Sequence, residues 1–136
     1  MRTRIEFWPR DASAAYRFNQ SVHRLKEFLR NNAGIRLYRD GVGVKPYGRP
    51  GDPAFDWLGL GPRQAKNPAG LRRKSYKMKP EQLRGWIKIA RKDNPDIRDG
   101  AAREGVIENV AFQAMRNFLV HCVSRMELAR HKNSSA

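Results

Sequence analysis

Between residues 34 and 61 the chain reads GIRLYRDGVGVKPYGRPGDPAFDWLGLG, with seven glycines and three prolines in twenty-eight positions. Each glycine frees the backbone for left-handed dihedrals, and each proline removes an amide donor. Neither a long helix nor a long strand can run through such a stretch, so it must consist of short extended pieces joined by turns. Ile35, Tyr38, Val42 and Val44 sit in β-type sequence. Asp40-Gly41 between them predicts a two-residue hairpin turn, because both central positions of that turn need positive φ. GRPGDPAF predicts a loop and DWLGLG a brief apolar return.

Glycines beside an aspartate also raise the question of phosphate binding. A phosphate-cradling loop works by feeding a glycine turn directly into a helix N-terminus, which aims amide groups and the helix dipole at the anion. DGVGVKPYG feeds a short strand and Pro46 instead, and the chain contains neither GxxxxGK(S/T) nor GxGxxG. These glycines read as hairpin and loop residues.

The flanks carry the longer elements. RTRIEFW, residues 2–8, alternates polar and apolar residues and predicts a strand. Asp11 and Ser13 offer N-cap oxygens for a helix in which Ala15, Phe18, Val22, Leu25 and Leu29 recur at helical spacing. Asn31, Asn32 and Gly34 end it. Residues 62–82 form a polar, basic connection. In LRGWIKIA, residues 83–90, Trp86 and Lys88 alternate with Ile87 and Ile89, the pattern of a strand. KDNPDIRDGAA is a second loop, whose Asp93, Asp96 and Asp99 suit turns and the cap of the next helix rather than a calcium site. From Arg103 the period becomes helical again, with Ile107, Val110, Ala114, Phe118, Cys122 and Met126 as the apolar stripe. The tail HKNSSA should fray. This order predicts an α+β fold, a mixed sheet packed against long helices as a two-layer sandwich, with residues 1–136 forming one domain.

Composition narrows the function. The chain is 136 residues long and 40% hydrophobic, enough for one core. No apolar run approaches the ~18 residues of a membrane span, and charges interrupt the apolar residues of MRTRIEFWPRD, so no signal peptide is expected. Cys122 is the single cysteine, which excludes an intrachain disulfide and suits a cytoplasmic location. His23, His121 and His131 are too scattered for a metal site. His121 and Cys122 occupy consecutive helical positions and face apart, so they do not form a nucleophile pair, and Cys122 reads as a buried small residue. Trp8, Trp57 and Trp86 suit a core or an interface better than a base-stacking platform.

Twenty-eight Lys and Arg against thirteen Asp and Glu leave a net charge of +15. Such a field attracts polyanions, or else it is balanced by an acidic surface on a larger assembly. The densest basic stretch is LRRKSYKMK, in which Arg72, Arg73, Lys74, Lys77 and Lys79 surround Tyr76. These residues can neutralise nucleic-acid phosphates while the ring stacks on a base, or they form a solvated loop. No base-reading motif accompanies them, so any binding of DNA or RNA should depend little on sequence.

An ordered series of segments carries a further likeness. GIRLYRDGVGVKPYG, DWLGLG with Asn67-Pro68, QLRGWIKI, NPDIRD and REGVIEN followed by Ala111-Phe112 resemble the C-terminal half of bacterial GHKL ATPases. That superfamily includes gyrase B, histidine kinases and the ninety-kilodalton heat-shock chaperone. The resemblance covers residues 34 to about 119. It implies the transducer domain, which reaches with a basic side chain to the γ-phosphate of ATP held with Mg²⁺ by a separate nucleotide-binding domain. That domain's own motifs are missing here: no acidic E-x-x-x-N helix is present, and Val42 stands where D-x-G-x-G needs glycine. The resemblance therefore implies a partner nucleotide-binding domain, in the same chain or another, no ATPase activity alone, and ATP and Mg²⁺ only through that partner. Dimerisation stays open. Ala102-Arg103-Glu104-Gly105-Val106-Ile107 resembles the chaperone's S-R-E-x-L segment, which gives Arg103 the γ-phosphate role. Alternatively, Arg103 is structural and pairs with Glu104 or Asp99. A basic nucleic-acid-binding module without catalytic activity is the other functional reading.

Overall fold

The computed structural model describes residues 1–9, 21–65, 77–98 and 106–134. In chain order the elements are β1 (Arg2–Phe7), α1 (Val22–Asn32), β2 (Gly34–Arg39), β3 (Val42–Gly43), the single turn α2 (Pro62–Ala65), a 3₁₀ turn (Pro80–Gln82), β4 (Leu83–Ile89) and α3 (Val110–Ser134). The strands form one sheet in the order β1-β4-β2-β3. β1 runs antiparallel to β4, β2 parallel to β4, and β3 antiparallel to β2. The fold is α+β with a mixed four-stranded sheet.

The hairpin forms where the turn chemistry put it. Asp40 has φ 50° and Gly41 φ 81°, the two left-handed positions of the tight turn, and Arg39 faces Val42 across it. Gly34 has a different reason to be glycine. Its φ is 115°, and a Cβ there would collide with the Gly48 carbonyl oxygen. The start of β2 and the 46–51 turn therefore pack backbone to backbone.

Register decides which residues share a face. Ile35 and Leu37 of β2, with Leu83, Ile87 and Ile89 of β4, are buried in the main core, and Ile5 and Phe7 of β1 pack against it. α3 closes this core with Phe112, Met115, Leu119 and Val123, one side of a helix at three- and four-residue steps. A smaller cluster joins Leu25, Leu29 and Ala33 of α1 to Trp8 and Phe55.

Four expectations need correction. The predicted first helix is not continuous: Ser21 is extended, and its Oγ accepts from the Arg24 N–H at 3.1 Å, so α1 starts at Val22. Serine satisfies orphan amide donors better as a cap than inside a helix, which explains the break. Asp11, Ser13, Ala15 and Phe18 lie outside the described residues.

The last helix opens at Val110 rather than Arg103. Its cap is Asn109, whose Oδ1 accepts from the Phe112 N–H at 3.0 Å, and neither Asp93 nor Asp96 fills that role, while Asp99 lies outside the described residues. The stripe expected to be buried lies mostly on the other side. Val110 is 85% exposed, Ile107 and Phe118 are each 48% exposed, and Ala114 is exposed, while Cys122 and Met126 are half-buried. Two apolar rows of helical period run along this one segment. The row carrying Phe112, Met115 and Leu119 offers more volume to the sheet, and it is the one that packs inward.

Candidate functional site

The segments that carry the family likeness meet around an aromatic trio. Ring centroids of Tyr47 and Trp57 lie 5.2 Å apart, those of Tyr47 and Phe112 5.8 Å, and those of Trp57 and Phe112 5.9 Å. Polar groups fasten the trio to its surroundings. The Trp57 Nε1–H donates to the Ile35 carbonyl at 2.7 Å. Asp56 folds DWLGLG back on itself, its carboxylate accepting from the Leu60 and Gly61 amides at 2.9 Å each. Arg116 of α3 donates to the carbonyls of Trp57 (3.0 Å) and Leu58 (3.2 Å). Arginine thus holds a loop carbonyl pair that no amide of the described residues reaches.

The same assembly holds the approach to α3. The Val106 N–H donates to the Tyr47 hydroxyl at 3.3 Å, and the Ile107 N–H to the Arg98 carbonyl at 2.7 Å. Asn109 Nδ2 donates to the Asp96 carbonyl at 2.8 Å. The NPDIRD turn and the residues just before α3 are therefore pinned side by side. Arg103, the candidate γ-phosphate ligand, falls between these pinned points and outside the described residues.

The basic candidates divide in the same way. Arg72, Arg73, Lys74 and Tyr76 lie outside the described residues. Lys77 is half-buried and Lys79 exposed, on either side of the buried Met78. One carboxylate fastens both flanks of this stretch. Glu127 of α3 is fully buried and forms a two-pronged ion pair with Arg63, Nη1 to Oε1 at 2.9 Å and Nη2 to Oε2 at 2.8 Å. Its Oε2 also accepts from the Met78 N–H. Sequence reasoning missed this pair, although one signal existed: Glu127 follows Leu119 and Val123 at four-residue steps, an acid in the buried row.

Among the described residues no group of His, Cys, Asp and Glu is placed to hold a metal ion. His121 is exposed and Cys122 only half-buried, not buried as expected. A cavity of about 280 Å³ beside α1 is lined by Lys26, Leu29, Arg30, Phe55 and Glu81 among others, with no nucleophile and base together. No helix of the described residues is long and apolar enough to cross a membrane.

The face of the sheet opposite α3 is chemically different, and α1 lies over one end of it, where Arg84 donates to the Asn32 carbonyl at 3.1 Å and sits over the Trp8 and Phe28 rings. Cross-strand partners point to the same side, so Arg4, Trp86 and Arg36 form one row across β1, β4 and β2, and Arg2, Lys88 and Tyr38 form the next. Compared with protein-family models, curated proteins and solved structures, the chain matches none of them.

Proposed function

We propose that the chain acts as the transducer of a GHKL-type ATPase, a two-layer sandwich that couples the nucleotide state of a partner domain to movement. The observation that supports this reading is the convergence described above. Residues of GIRLYRDGVGVKPYG, DWLGLG, NPDIRD and REGVIEN are bonded to one another around Tyr47, Trp57 and Phe112. The described residues of the likeness are used in building one packed unit, which suits a domain that transmits force better than one that performs chemistry in its own cleft.

In this reading ATP and Mg²⁺ sit in the partner domain, and this chain contributes Arg103. Negative charge spreads over the γ-phosphate oxygens during phosphoryl transfer. A planar, always-charged guanidinium stabilises that charge through two parallel hydrogen bonds. A rigid base matters, because a contact made only in the transition state raises the rate without tightening ground-state binding.

Steady-state ATP hydrolysis tests the proposal. The chain alone should neither bind ATP·Mg²⁺ at micromolar concentration by calorimetry nor turn it over. Added to a GHKL nucleotide-binding domain bearing E-x-x-x-N and D-x-G-x-G, it should raise turnover. Hydrolysis by the chain alone, or no change on mixing it with such domains, would overturn the proposal.

A further inference from the structure

The next two rows of this face, beyond the row that α1 covers, set half-buried aromatic rings among exposed cations. Trp86 and Tyr38 are half-buried, yet among the described residues they belong to neither hydrophobic cluster. Burying a ring is a major source of stability, and aromatics left on a surface mark binding sites. The surrounding residues are cationic. Arg2, Arg4 and Lys88 are exposed and Arg36 is half-buried. The Arg49 guanidinium lies beside Gly43, the cross-strand partner of Tyr38. The only ion pair on this face among the described residues is Arg4 with Glu6, and it is long, at 3.8 Å. Lys88 holds its ammonium 4.5 Å from the centre of the Trp86 ring, a cation that a base stacking on that face would displace toward its own phosphate.

We infer that this face binds single-stranded nucleic acid, independently of the transducer reading and at a site separate from residues 63–79. The spacing suits that ligand. Neighbouring strands lie ~4.8 Å apart and same-face residues along a strand ~6.8 Å apart. A platform of this kind holds two bases, on Trp86 and Tyr38, while Arg2 and Arg4 on one side and Arg36 on the other meet the backbone phosphates. A duplex keeps its bases stacked inside and could use only the cations, so rings on the surface favour an unpaired strand. The net charge of +15 supplies the long-range attraction. An acidic protein would satisfy the cations but would leave the two rings without flat partners.

Fluorescence anisotropy of the full chain with labelled oligothymidylate, about fifteen nucleotides long, provides the test. Single-stranded oligomer should bind more tightly than duplex of equal length and should quench tryptophan emission. Trp86→Leu should weaken binding about tenfold at constant salt. Arg4→Ala and Arg36→Ala should each reduce the slope of log K against log salt by about 0.7. All three variants should retain the native circular dichroism and melting temperature, since their side chains lie outside both cores. The charge-removed loop variant, with Arg72, Arg73 and Lys74 all changed to alanine, should keep the tenfold effect of Trp86→Leu. The inference fails if Trp86→Leu binds like the parent, or if duplex and polyglutamate compete as well as single strands per unit charge. It also fails if the loop variant alone abolishes binding.

Discussion

Consider replacing Glu127 by alanine. The carboxylate is fully buried and satisfies three donors: two guanidinium nitrogens of Arg63 and the amide of Met78. Arg63 retains only 17% side-chain exposure, so after the substitution its charge cannot recover full hydration. Breaking one half of a buried pair costs about 3–5 kcal/mol, most of it the uncompensated partner. A domain of this size has roughly 5–15 kcal/mol in total, so the loss is a large share. In melting temperature it corresponds to on the order of 10 °C or more. Urea denaturation followed by far-ultraviolet circular dichroism measures the change directly. The double variant Glu127→Met with Arg63→Met separates the two sources of cost. Removing both charges together should return stability to within about 1–3 kcal/mol of the parent, because the isolated charge is gone and only the Met78 amide loses its acceptor. The double-mutant cycle closed with the single variants Glu127→Met and Arg63→Met should show a coupling of about 1–3 kcal/mol. A loss below about 1 kcal/mol for Glu127→Ala, or simple additivity in the cycle, would refute the argument from buried charge.

Other consequences are as direct. Gly34→Ala should destabilise by about 2 kcal/mol or more, since its φ of 115° and the Gly48 carbonyl both exclude a Cβ. Gly41→Ala, with positive φ but open space around it, should cost only about 1 kcal/mol, and equal losses in urea titrations would show that backbone strain alone governs both sites. Leu119→Ala should cost about 2–5 kcal/mol and Phe118→Ala less than about 1, because the first is fully buried and the second half exposed. The reverse ranking would restore the stripe expected from periodicity. In the reconstituted ATPase, Arg103→Ala should lower kcat by ~10³ while ATP affinity and melting temperature hold, and Arg103→Lys should recover only part of the rate. Unfolding with normal turnover in the surviving fraction would make this arginine structural.

The hairpin, the strands and the end of the first helix were legible because their causes are local. Asp40-Gly41 needs no distant partner to favour positive φ, and alternation in LRGWIKIA already separates Trp86 and Lys88 from Ile87 and Ile89. Local causes also placed Gly34 at the helix stop, although its second constraint, the Gly48 carbonyl, comes from packing. Where two local solutions competed, the sequence was silent. Ser21 could continue a helix or cap one, and α3 carries two apolar rows, of which only contact with the sheet selects Phe112, Met115, Leu119 and Val123. Non-local pairing was beyond reach for a different reason. The parallel register of β2 on β4 sets Arg36 beside Trp86, and the antiparallel register of β1 sets Arg4 on its other side. Glu127 meets Arg63 across 64 residues of chain. Sequence determined which residues could turn, cap or alternate, since those preferences reside in single dihedrals and short spacings. Only the tertiary structure decided which cations share a face with Trp86 and which carboxylate is buried, because burial and register are settled jointly by every element that packs.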